Sequence, residues 1–239
     1  MNILLVTVGQ GAFQVPLYWE LRDNCSGNST AAQRSAVREV CRAVLGRERR
    51  AAVLGDREFA GHAWLKWLQD SGLNFVMRLP RHHLLPDAHD QRQAIADLGL
   101  AVGQVRRFTQ RQVDGVWGQG WVKALAGGDF LVLFGTAGLP DLGQLYARRW
   151  AIEQCFQNLK GRGFQLENSH LRGRHKLRKL LALVTLACAF CLGVDQAADR
   201  RTPTAHQKHG YRATSLARNG LNLLRQITRL ATANQHKMR

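Results

Sequence analysis

The sequence predicts an α/β fold with a β-rich segment in its middle and a helical C-terminal part. Three observations carry this. Short apolar runs at 51–55 (AAVLG) and 74–79 (NFVMRL) flank a helical pattern at 61–71, the strand–helix–strand order of a parallel unit. Alternating stretches around Gly115 and a further apolar run at 129–136 (DFLVLFGT) read as neighbouring strands. From residue 142 onward the apolar residues recur with a helical period.

Taken in order, residues 2–8 (NILLVTV) and 13–21 (FQVPLYWEL) form a predicted hairpin with Gly9 and Gly11 marking the turn. Thr30 and Gln33 fit a capping box ahead of a helix with Val37, Val40, Cys41, Val44 and Leu45 on one stripe. The run 51–55 is a short buried strand, and Asp56 follows it directly, at an address where α/β sheets place ligands and metals. A helix N-cap is the plain structural role for the same aspartate. In the next helix Trp64, Leu65 and Leu68 point inward, and residues 74–79 return as a strand. His82, His83 and His89 fall in a loop, where histidines are usually solvated. A short helix is expected at 91–98. The β-rich segment carries Arg106, Arg107, Arg111 and Lys123 with Trp117 and Trp121. That mixture suits backbone contact and base stacking, and equally suits ordinary cross-strand pairs. A long helix over 176–199 runs through the apolar residues 180–194, and a last helix begins after Ser215. Leu216, Leu223, Leu224, Ile227 and Leu230 form its stripe, with Arg218, Arg225 and Arg229 on its other sides.

The 239 residues suit one large or two small domains, and 45% hydrophobic content excludes a disordered chain. Formal charge is +17, which points to a polyanionic partner, with nucleic acid ahead of a membrane surface. The five cysteines are an odd number and no signal-peptide pattern is read, so a cytoplasmic, reducing setting is expected. Cys188 and Cys191 sit within an apolar run, where packed core thiols are the better reading than a redox or zinc pair. The run at 180–194 is shorter than the ~20 residues of a membrane span, so a buried helix is expected.

The densest chemistry lies at 142–170. Read as one helix, Tyr146, Arg149, Glu153 and Lys160 share a strip about 60° wide at roughly 100° per residue. Leu145, Ile152, Phe156 and Leu159 form an adjacent apolar stripe. The plain alternative is an amphipathic helix with a solvated edge.

This Y-x-x-R-x-x-x-E-x-x-x-x-x-x-K spacing resembles the YREK signature of DDE transposases of the insertion-sequence-four family. The neighbouring RW-x-IE at Arg149–Glu153, RGFQLENSHL from Arg162, GDREF with Asp56, and SLARNGLNLLR near the end resemble it too. The resemblance implies an RNase H-like catalytic domain, incomplete at its N-terminal strand, with a β-rich insertion and a C-terminal helical part. Its segments would be 1–79 and 141–199 for the core, 80–140 for the insertion and 200–239 for a basic helical tail. It implies a DNA transposase that cleaves phosphodiesters and transfers strands with two Mg²⁺ ions held by three carboxylates. By the match, Asp56 and Glu153 would be two of these catalytic, metal-binding carboxylates. Tyr146, Arg149, Trp150, Lys160 and Arg162 would contact DNA. Double-stranded DNA and transposon ends are the implied partners, with a second copy or a full-length transposase alongside and no membrane.

One departure stands out. No acidic residue precedes Glu20, so the family's first aspartate has no counterpart and the chain reads as N-terminally truncated. Two classes of function therefore remain. One is an active transposase. The other is an inactive remnant that binds DNA or inhibits an intact transposase.

Overall fold

The first apolar run becomes a hairpin strand. β1 (Asn2–Gln10) pairs antiparallel with β2 (Phe13–Arg22), and the register slips between Val6 and Thr7, opposite Pro16. Proline gives the ladder no N–H, so it is tolerated at an irregularity of this kind. The structure is a computed structural model that describes residues 2–10, 13–22, 36–37, 39–40, 43, 52–80, 85–86, 92–157, 159, 171, 173–205 and 216–237. Its chain divides into two compact units, Ser26–Trp150 and Met1–Cys25 with Ala151–Arg239.

The unit Ser26–Trp150 is built on a mixed five-stranded sheet. Residues 36, 37, 39, 40 and 43 are helical with Val37 buried, while Thr30 and Gln33 lie outside the described residues. β3 (Ala52–Gly55), α1 (His62–Asp70) and β4 (Asn74–Leu79) form the expected strand–helix–strand unit, with β3 and β4 parallel. Trp64, Leu65 and Leu68 are buried as the spacing predicts. Two-residue strands β5 (Leu85–Pro86) and β6 (Arg92–Gln93) follow. His82, His83 and His89 lie outside the described residues. The helix expected at 91–98 is instead β6 and one 3₁₀ turn, Ile95–Leu98. Ile95 and Leu98 are both buried at a spacing of three, which a single tight turn satisfies, and Gly99 in the left-handed region ends it.

β7 (Val105–Val113) and β8 (Val116–Ala124) join through Asp114–Gly115, both at positive φ, the conformation of a two-residue hairpin turn. β9 (Phe130–Gly135) completes the order β3-β4-β9-β8-β7, so the β-rich segment extends the sheet that holds β3 and β4. Val76, Trp121, Leu133, Leu142 and Tyr146 form its core cluster. Trp121 is thus a core residue, whereas Trp117 is 59% exposed.

The helix expected from residue 142 is divided. α2 (Leu142–Ala147) ends in a 3₁₀ turn, Arg148–Trp150, and α3 (Ala151–Gln157) starts the other unit. The buried residues explain the break. Tyr146 and Cys155 are nine positions apart, which on a straight helix of roughly 100° per residue puts them on opposite sides. The 3₁₀ turn lets each half bury its own face: Leu142 and Tyr146 in one unit, Cys155 and Leu159 in the other. Of the expected strip, Tyr146 and Arg149 fall in one unit and Glu153 in the other, and Lys160 lies outside the described residues.

In the second unit α3 and α4 (Arg174–Arg201) pack on β2, and α5 (Leu216–Lys237) packs on α4. By length and composition α4 could cross a membrane, but Leu181, Val184, Cys188, Cys191, Leu192 and Asp195 are buried within the unit. Only 28% of its apolar window is buried, however, and Leu183, Leu186 and Phe190 are exposed, so the expected buried helix is buried on one side alone. Burial pushes the Cys155 thiol up to about 12 and the Cys188 thiol to about 11, so both stay protonated and inert, as core cysteines do. Gly220 packs directly on the Cys191 carbonyl, and Asn219 Nδ2 donates to the buried Asp195 Oδ1 at 2.5 Å. On α5, Ile227 lies on the same side as the buried Gly220 yet is 55% exposed. The side chains of Leu216 and Leu230 are not among those the structure describes.

Candidate functional site

The carboxylate nearest to the expected chemistry sits where β3 stops. Asp56 is extended, at φ −85° and ψ 178°, and caps the 3₁₀ turn Arg57–Phe59. Its Oδ1 accepts from Arg57 N at 2.8 Å, and its carbonyl accepts from Phe59 N at 2.9 Å. The N-cap role and the strand-end address therefore coincide in one residue. Gly55 makes the approach possible, because a Cβ there would run into Met77 Sδ and crowd Phe59.

Arg149 reaches this aspartate from the 3₁₀ turn after α2. Its Nη2 lies 3.7 Å from Asp56 Oδ2, an ion pair longer than a hydrogen bond, with the arginine side chain 21% and the aspartate 39% exposed. The guanidinium carbon is 5.4 Å from the centre of the Tyr146 ring. Tyr146 is 8% exposed and belongs to the core cluster, so the ring is a rigid shelf for the cation. Burial raises the Tyr146 pKa above its ordinary value, and the Asp56 charge adds to that, while Arg149 and Arg78 oppose it. Tyr146 is accordingly a neutral phenol at physiological pH.

α2 itself is held from its start. Asp141 accepts from Gln144 N at 3.0 Å and pairs with Arg107 Nη2 of β7 at 2.5 Å. The bond from Arg107 and that from Gln144 keep its carboxyl below the usual range. Neither Asp141 nor Arg78 was among the expected site residues. The Asp-x-x-Gln pattern at 141–144 is a capping signature and marks the former, and Arg78 lies in FVMRL, a stretch that also resembles the insertion-sequence-four family.

Asp56, Tyr146 and Arg149 are thus brought together within one unit. Trp150 ends that unit and is 64% exposed. Glu153 is half buried on α3 in the other unit. Lys160 and Arg162 lie outside the described residues. Of the basic strand residues, Arg106 and Arg107 are exposed, Arg107 is paired with Asp141, and Arg111 stacks on Phe108 at 5.7 Å.

The chemistry available here is that of a half-buried guanidinium on an aromatic shelf, suited to forked bonding of a phosphate. A two-metal centre needs several convergent oxygen donors. Among the described residues no group of three or more His, Cys, Asp or Glu could hold a metal ion. Asp56 has one oxygen on a backbone N–H and the other facing a cation. The described donors do not fit a pair of Mg²⁺ ions.

Residues 24–191, more than half of the chain, match the family described as "Transposase DDE domain". The chain belongs to that family. The mixed sheet with its flanking helices is consistent with the RNase H-like fold of DDE transposases. No curated protein matches the chain. A solved chain from a cryo-EM structure, piggyBac transposase in a synaptic complex with hairpin DNA, is similar in fold. It has a TM-score of 0.53 and 13% identity over 92% of this chain, which spans 44% of that one.

Proposed function

We propose that this member of the transposase DDE family is a DNA-binding protein of the transposition machinery that does not itself transfer strands. The observation that carries this reading is the engagement of Asp56. Its oxygens are turned to Arg57 N and to the Arg149 guanidinium, and the described residues offer no three-donor group. What is left intact is recognition of phosphate. Arg149 on its Tyr146 shelf, with Trp150 exposed beside it, suits the backbone of double-stranded DNA at a transposon end. Lys160 and Arg162 follow in sequence and would add phosphate contacts. A protein that occupies such ends, or pairs with an intact transposase, competes with transposition.

Family membership favours a second reading, in which the chain is an active transposase with Asp56 and Glu153 among its Mg²⁺-binding carboxylates. One experiment separates the two. Supercoiled plasmid carrying the element's own ends is incubated with the protein and Mg²⁺. Binding of the ends without nicking is expected. Nicking that Glu153→Ala abolishes would overturn the proposal in favour of the active enzyme.

A further inference from the structure

α5 contains 22 residues without a single carboxylate: LARNGLNLLRQITRLATANQHK. Solvated helix faces ordinarily mix both signs of charge. Here only cations are present, in a chain whose excess is +17.

The arrangement of the two sides is informative. The inner side is spent on α4. Gly220 is buried against Cys191, Leu221, Leu223 and Leu224 are half buried, and Asn219 is bonded to Asp195. Arg218, Asn222, Arg225, Gln226 and Arg229 are exposed. At roughly 100° per residue the three arginines fall within about 40° of one another, a single line along the helix. Eleven residues at about 1.5 Å each make that line roughly 16 Å long. Over such a length one strand of a duplex presents about five phosphates, at about 3.4 Å each.

We propose that the Arg218–Arg225–Arg229 line on α5 is a docking surface for the phosphate backbone of duplex DNA, additional to Arg149. The proposal rests on the reading of DNA as the partner. A membrane surface fits less well, because a helix lying on lipid turns its apolar side outward. Leu221, Leu223 and Leu224 are half buried instead, and among the described side chains of α5 the exposed Ile227 lies on the side of Gly220, opposite the arginine line.

The test is fluorescence anisotropy with a random-sequence duplex at salt concentrations from about 50 to about 200 mM. Wild type is compared with the double variant Arg225→Gln/Arg229→Gln, whose far-UV circular dichroism reports the fold. The plot of log affinity against log salt should become shallower by about 1.8, at about 0.9 for each phosphate the variant no longer neutralises. Affinity should fall by roughly tenfold or more, alike for different sequences. A control, Lys66→Glu, lowers the formal charge by the same two units in the other unit and should change the slope far less. Equal changes in both variants would assign the effect to bulk charge and overturn the proposal. An unchanged slope in the α5 variant also overturns it, as does a loss confined to phosphatidylglycerol vesicles. Failure of wild type to bind duplex at all refutes the DNA-partner reading itself, a result distinct from these.

Discussion

Replacing Gly220 by alanine tests the α4–α5 packing most directly. In an exposed helix interior the change is favourable, since glycine costs about 1 kcal/mol relative to alanine. At Gly220 the added methyl would overlap the carbonyl of Cys191, which is backbone and cannot rotate away. The helices must separate, and overpacking of this kind costs about 1–3 kcal/mol. Separation also loosens the Asn219–Asp195 bond, and Asp195 is 0% exposed. A buried carboxylate that loses a partner adds about 1–3 kcal/mol. Against the gain of about 1 kcal/mol in propensity, the net loss is about 1–5 kcal/mol. Gly193 on α4 provides the matched control, because nothing lies within 4 Å of its Cβ position. Gly193→Ala should stabilise by up to about 1 kcal/mol. Urea titration followed by circular dichroism measures both. Labelling of the Cys188 and Cys191 thiols by Ellman's reagent should accelerate in Gly220→Ala alone. If the two alanine variants shift the midpoint in the same direction, the close approach of α5 to α4 is refuted.

Other consequences follow from the same packing and charges. The Cys155 and Cys188 thiols are raised to about 12 and about 11, so unfolding favours their ionisation. Their contribution to stability is complete below the ordinary thiol pKa of about 9 and is lost as pH rises through the folded values. Cys155→Ala/Cys188→Ala should therefore flatten the alkaline fall of the urea midpoint. Asp141 has the opposite sign: its depressed pKa gives stability that is present above about 4 and lost as pH falls through the folded value. Asp141→Ala should cost about 1 kcal/mol by loss of the cap. Asp141→Asn keeps the cap and should cost about 0.5 kcal/mol or less, because Arg107 is 64% exposed. Gly55→Ala should destabilise the Ser26–Trp150 unit by about 1–3 kcal/mol through its clash with Met77, read from thermal melts.

The elements legible in the sequence were those whose pattern and length agree. α1 was set by Trp64, Leu65 and Leu68, and β4 at residues 74–79 by an apolar run bounded by turn residues. The strand end at Asp56 was legible for the same reason. The division at Arg148–Trp150 was not, because a local period says nothing about which neighbour each half of a helix will bury. Tyr146 was read as part of a polar strip from its hydroxyl, yet its ring fills a core between Val76 and Trp121. The ambiguity of Trp117 and Trp121 had the same origin. Four positions apart on β8, they share a face by alternation, and what separates them is cover: Gly143 of α2 lies against Trp121, whereas Trp117 is exposed.

The Asp56–Arg149 pair joins the structural and functional accounts. At 3.7 Å the guanidinium neutralises the carboxylate without a hydrogen bond to it, and one side of the pair remains open to solvent. Such a partly exposed pair contributes about 0–1 kcal/mol, little enough for an arriving phosphate to compete. A phosphate offers the same guanidinium two short, charge-assisted bonds in a fork. Arg149 can therefore trade a weak internal partner for a strong external one while Tyr146 keeps it in place. Asp56 would retain its bond to Arg57 N during that exchange, so the strand end it caps need not rearrange. In the proposed DNA-binding reading, the weak pairing that leaves Arg149 exchangeable is the same feature that readies it for a phosphate.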